Sequence, residues 1–119
     1  MKPLRILVVD DNAVIGMLLA RTLTSMGHEI CAVETTQDDA VAAAARYRPD
    51  LMIVDVALGQ GSGIAAVEEV LRTRHVPHIF MSGAPIQAGT RGRVVLAKPF
   101  DEAELALAIA DAAGTPTAA

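Results

Sequence analysis

Tryptophan is absent from this sequence, and there are only one tyrosine and two phenylalanines. Any core must therefore be built from aliphatic side chains. The 52% hydrophobic composition, rich in Ala, Val, Leu and Ile, suits a parallel sheet covered by small-residue helices. Cysteine is nearly absent as well: Cys31 stands alone between Ile30 and Ala32, so no internal disulfide can form. It reads as a small buried hydrophobe in a protein of the reducing cytoplasm. With a net charge of −4 and no run of Lys or Arg, the chain lacks the electrostatic footprint of a nucleic-acid binder. No apolar run approaches the length of a membrane span, and the stretch from Met1 reaches Asp10 before a signal-peptide core could form. No direct nucleic-acid or membrane contact is expected. The 119 residues suit one domain, expected over residues 1–113, followed by a small polar tail over 114–119 in which Pro116 bars helix continuation. No output module is expected in that tail.

What the chain does contain is an alternation of short apolar runs and helical spacings. Arg5 to Val9 is a continuous apolar run ending at Asp10 and Asp11, the pattern of a strand buried on both faces. From Asn12 the spacing turns helical, with Ile15, Leu18, Leu19, Thr22 and Met26 expected on the buried face and Gly27 placed to end the helix. Glu29 to Val33 reads as a second strand. Thr36 and Asp39 then form a capping-box-like start for an Ala-rich helix to about Arg46. After Pro49, Leu51 to Val54 forms a third strand that ends at Asp55.

The loop from Gly59 to Gly63 precedes a third helix, whose buried face is marked by Ile64, Val67, Val70 and Leu71. Gly61 and Gly63 alone do not make a phosphate cradle, since the dinucleotide fingerprint needs a third glycine and a different strand context. His78 to Met81 reads as a fourth strand ending at Ser82 and Gly83, and Arg93 to Ala97 as a fifth ending at Lys98 and Pro99. A last helix is expected from Asp101 to about Ala113, with acidic residues at its positive end. The alternation predicts an α/β fold with a doubly wound, five-stranded parallel sheet.

In such sheets ligands bind beyond the carboxyl ends of the strands, where strand order reverses. Asp10 and Asp11, Asp55, Ser82 and Lys98 each fall at the carboxyl end of a different strand. Three carboxylates held together repel one another unless a cation or proton neutralises them. A hard divalent cation with oxygen preference answers that problem: Mg²⁺, with Mn²⁺ also able to serve. Phosphoryl transfer to a carboxylate needs an aligned nucleophile and balanced charge on three equatorial oxygens. Asp55 would attack, the metal would take one oxygen, Lys98 a second, and the Ser82 hydroxyl a third.

Through Val8-Val9-Asp10-Asp11-Asn12, Val54-Asp55, Met81-Ser82-Gly83 and Lys98-Pro99-Phe100, the sequence resembles the receiver domains of two-component response regulators over nearly its whole length. The resemblance implies a flavodoxin-like fold. It implies that Asp10 and Asp11 bind metal, that Asp55 is the phosphoacceptor, that Ser82 is the hydroxyl switch and that Lys98 contacts the phosphoryl group. It also implies that Ala57 offers its backbone carbonyl to the metal and that the Lys98–Pro99 peptide is cis. The phosphodonor would be a histidine kinase or histidine phosphotransfer protein, and output would pass to a downstream protein target by contact. His28, His75 and His78 lie away from the acidic cluster and suit surface or packing roles.

Two features depart from the family pattern. The segment from Gly83 to Gly92 holds Pro85, Gly89 and Gly92 and is short, so the family's fourth helix is expected to be truncated or absent. With the Gly-rich loop after Asp55, this resembles an atypical receiver subgroup of alphaproteobacterial stress signalling. Val95 stands where the family usually has an aromatic switch residue, so the phosphorylated state is expected to be read through Ser82 and the 83–92 segment. Two other readings compete with a signalling switch that is not a metabolic enzyme. A haloacid-dehalogenase-type phosphohydrolase would place its nucleophile in an Asp-x-Asp motif on the first strand, whereas here the acids are adjacent. A receiver-like docking module that never turns over phosphate would lose the acceptor, an acid of the pair or the lysine, and all are present.

Overall fold

A computed structural model describes residues 2–83, 90 and 92–114. The elements run β1 (Arg5–Val9), α1 (Ala13–Ser25), β2 (Glu29–Glu34), α2 (Gln37–Tyr47), β3 (Leu51–Asp55), α3 (Gly63–Leu71), β4 (His78–Ser82), β5 (Val94–Ala97) and α4 (Glu102–Gly114). All five strands pair in parallel, in the order β2-β1-β3-β4-β5. Strand order reverses beside β1, so a crevice opens between the ends of β1 and β3.

Continuous apolar runs in the central strands are explained by burial on two faces. Leu7, Val9, Met52, Val54 and Phe80 face one core with the inner residues of α2 and α3. Ile6, Val8, Ile53, Ile79 and Met81 face the other, with α1 and α4. Alternate side chains of one strand thus serve different cores, and a polar residue is tolerated only where the strand ends.

The helix starts follow local chemistry. Asn12 caps α1 by accepting from the amides of Val14 and Ile15, Thr36 caps α2 by accepting from Asp39, and Ser62 caps α3 by accepting from Ala65. Before α4, Asp101 and Glu104 exchange hydrogen bonds, each side chain accepting from the other's amide at 2.8 and 3.0 Å. At the far end of α2, Arg48 takes a left-handed conformation with φ 49°.

One expectation is corrected at α1. Leu19 is buried as expected, but the other buried positions are Gly16 and Leu23. Ile15 and Leu18 are 45% and 56% exposed, Val14 and Met17 are exposed as well, and Thr22 and Met26 are only half-buried. The helix settles with Gly16 against Val33, closer than a side chain would permit, and this rotates the adjoining apolar stripe into solvent. Spacing alone cannot choose between two neighbouring stripes.

The expected truncation of a helix between Ser82 and Lys98 falls mostly on residues 84–89 and 91, outside the described residues; of the tail expected over 114–119, Gly114 is the last residue of α4 and 115–119 lie outside the described residues. Among the described residues, no helix is long and apolar enough to cross a membrane.

Candidate functional site

The site is assembled where four strands stop. Asp10 follows β1, and its amide donates to the Glu34 carbonyl, which extends the β1–β2 ladder by one bond. Asp55 closes β3 opposite Met81 of β4, so Ser82 lies one residue further along. The Ser82 carbonyl in turn accepts from the Lys98 amide at 2.8 Å, carrying the β4–β5 pairing to the lysine. Ladder register therefore sets the depth of each functional residue.

Asp10 is 1% exposed and Asp55 7%, while Asp11 faces solvent. Carboxylate oxygens of all three lie within 4.8 Å of one another. The two buried acids are held alike. One oxygen of Asp10 accepts from the Asn12 amide at 2.9 Å, and one oxygen of Asp55 accepts from the Ala57 amide at 3.1 Å. The remaining oxygen of each meets the Lys98 ammonium, at 3.1 Å for Asp10 and 2.8 Å for Asp55. Burial alone would lower the Lys98 pKa, but the hydrogen bonds and negative charges of Asp55 and Asp10 outweigh it and hold the ammonium above its ordinary value.

One ammonium against three acids leaves the cluster anionic. Such a set of hard oxygen donors suits a divalent cation of the Mg²⁺ type. Asp10, Asp11 and Asp55 are the residues that could hold it, and Ala57 lies within the same turn as Asp55.

Asp10, Asp11, Asp55 and Lys98 are thus brought together, and Ser82 is buried at the same edge of the sheet. The Lys98–Pro99 peptide is cis, as the resemblance implies. Val95 is half-buried against the α2–α3 core. The histidines stand apart from the acids: His28 is buried with Nδ1 accepting from the Leu4 amide, His78 contacts the Val76 carbonyl and Arg93, and His75 is exposed.

Sequence reasoning missed what three residues contribute to the site. Asn12 both caps α1 and binds Asp10 through its amide; its position before an apolar helical pattern was the available signal. Gly63 packs so closely under Asp55 that a Cβ there would overlap the Asp55 carbonyl oxygen. Gln37 accepts from the Ser62 amide at 2.9 Å, joining α2 to the loop after Asp55, and nothing in the sequence announces it.

The profile of the response regulator receiver domain matches residues 6–110. This chain belongs to the response regulator receiver family. It is 34% identical over 113 residues to the phyllosphere-induced regulator PhyR of Methylorubrum extorquens, covering 90% of this chain and 42% of that protein. It is 35% identical over 80 residues to the transcriptional regulatory protein PdtaR of Mycobacterium tuberculosis, covering 67% of this chain and 39% of that one. The receiver thus spans about two fifths of these two relatives. Among solved structures, the receiver domain of Erythrobacter litoralis PhyR superposes with a TM-score of 0.85 at 32% identity, covering 100% of this chain and 98% of that one. Two of these relatives are named as regulators, while a receiver-like match also occurs within the longer protein-glutamate methylesterase/protein-glutamine glutaminase 2 of Anaeromyxobacter dehalogenans, at 30% identity over 88 residues.

Proposed function

We propose that this receiver takes part in two-component phosphorelay signalling, with Asp55 accepting a phosphoryl group from the phosphohistidine of a partner kinase or phosphotransfer protein. One observation carries this reading: the Lys98 ammonium bridges Asp55 and Asp10 at the mouth of a three-carboxylate cluster. In the transfer, an Asp55 oxygen forms a bond to phosphorus as the P–N bond breaks, and the imidazole leaves with the electron pair and takes a proton. Asp10, Asp11, Asp55 and the Ala57 carbonyl would hold Mg²⁺, or Mn²⁺ in its place, which when bound neutralises charge on the phosphoryl oxygens. Lys98 is already aimed at Asp55 and shifts from a carboxylate to a phosphoryl oxygen with little movement. The Ser82 hydroxyl serves as the further donor.

Docking of the donor is supported by the exposed apolar side of α1. Ile15 and Leu19 line a groove with Met81, Lys98, Pro99 and Phe100, so the apolar surface runs directly into the site. Val14, Met17 and Leu18 extend it on the outside. A helix bearing the phosphohistidine fits there, and a downstream protein receives the output by contact in the cytoplasm. PhyR of Bartonella quintana, described as an anti-anti-sigma factor, illustrates the kind of protein-contact output meant.

The test is incubation with acetyl phosphate and Mg²⁺ followed by intact-mass measurement. Wild type should gain one phosphoryl group, and Asp55→Asn should gain none. An unmodified wild type, or equal modification of both, would remove Asp55 as the acceptor and favour a docking module that does not turn over phosphate.

A further inference from the structure

The connection from Asp55 to α3 is a miniature hairpin. Ala57 and Ser62 form an antiparallel bridge, and the Gly63 amide donates to the Val56 carbonyl at 3.0 Å. Its tip contains Gly59 and Gly61, residues that sample many conformations, so the hairpin needs an external anchor to keep one shape.

Gln37, the first residue of α2, supplies that anchor from both its ends. Its side-chain Oε1 accepts from the Ser62 amide at 2.9 Å, and its backbone amide donates to the Gln60 carbonyl at 3.2 Å. Gly61, at φ +94°, lies flat beneath the side chain; a Cβ there would come 3.2 Å from Gln37 Cδ and overlap Oε1. The positive φ and the close approach thus require glycine at the same position. The other attachment of α2 leads back to the acids. It follows β2, whose last carbonyl, that of Glu34, receives the Asp10 amide. Gln37 therefore stands between the backbone that carries Asp10 and the backbone that carries Ala57, without belonging to either core.

We infer that Gln37 is a positioning residue for the acidic site: through the Ser62 amide it fixes the 57–62 hairpin, and with it the Ala57 backbone, against the carboxylate cluster. The inference rests on the proposed Mg²⁺ and phosphoryl function of that cluster. Gln37 touches neither the cation nor the phosphoryl group. Its effect passes entirely through the hairpin, as partners behind the ligands of a metal site commonly tune affinity.

Two variants test this. Gln37→Leu keeps side-chain bulk and removes the acceptor, whereas Gln37→Glu keeps an acceptor oxygen. Backbone amide spectra would be followed through a Mg²⁺ titration, with amide exchange at Ser62 and Ala57 and a thermal melt measured alongside. Gln37→Leu should lose protection at Ser62 and bind Mg²⁺ roughly tenfold more weakly at an unchanged melting temperature. Gln37→Glu should stay within about twofold of wild type in Mg²⁺ affinity. Equal Mg²⁺ affinity in wild type and Gln37→Leu would overturn the inference. Equal weakening in both variants would also do so, by showing that shape rather than the acceptor matters. Loss of folding in Gln37→Leu would overturn it too, by making the residue a structural one. A wild type that bound no Mg²⁺ would overturn the site's proposed function and this inference together.

Discussion

At the residue scale, the two buried aspartates share one solution to a common problem. A carboxylate withdrawn from water needs partners for both oxygens. Asp10 and Asp55 each give one oxygen to the amide two residues onward and the other to Lys98, so local turn and distant cation hold each acid in a fixed orientation. Gly63 sets the same position from below. Its lack of a side chain lets the start of α3 close against the Asp55 carbonyl, and no side-chain rotation could relieve a Cβ placed there. Gly63→Ala should therefore destabilise the fold by about 1–3 kcal/mol, the cost of overpacking a filled interior, as measured by urea unfolding. An unchanged midpoint would mean that the backbone yields freely beside Asp55. Asp10, Asp55, Ser82 and Lys98 were legible in the sequence because each interrupts an apolar strand at its carboxyl end. Gln37 was not, because its partner is a backbone amide 25 residues away and no side-chain identity marks that pairing.

Elements were legible wherever their ends carried chemistry. Strand ends fell at Asp10, Asp55 and Ser82, and helix starts at Asn12, Thr36 and Asp101, the last three with side chains that accept from backbone amides of the first turn. The orientation of α1 was not legible, because it carries two adjoining apolar stripes and only packing against Val33 selects one. The distinction is measurable in a pair of matched truncations. Leu23 is fully buried, and Leu23→Ala should cost about 2–5 kcal/mol in denaturant unfolding. Leu18→Ala, on the exposed stripe, should change stability by no more than about 0.5 kcal/mol. Comparable losses would show that the exposed stripe contributes to the fold, and the docking role given to it would need another basis.

At the scale of the whole molecule, two aliphatic cores flank one sheet, and among the described residues some ionisable groups are buried enough to couple folding to pH. His28 is one. Burial foremost, and then the positive amino terminus, hold its pKa below the ordinary 6.5. His78 is lowered too, by burial first and by the charges of Arg93 and His75, against the Val76 carbonyl contact, which raises it. A base whose folded pKa is depressed contributes its full stability above about 6.5 and loses it as pH falls below that value toward the folded one, because the unfolded chain then binds more protons. The urea midpoint should drop between about pH 7.5 and about pH 5.5. His28→Asn, which keeps an acceptor for the Leu4 amide without a titrating ring, should show a smaller drop; an equal one would assign the acid sensitivity to other groups.

The bond from Lys98 to Asp10 spans 88 positions of the chain, and that from Lys98 to Asp55 spans 43. Contacts of such separation pay a large loop-closure entropy and form slowly unless local structure has already shortened the path. Synthesis from the amino end places Asp10 and Asp55 on the ribosome-bound chain before their cation has been made. Until residue 98 emerges and β5 docks beside β4, they have only solvent, counterions and their own amides for partners. The ion pair is thus a late contact, made only once the end of β5 has been brought to the ends of β1 and β3.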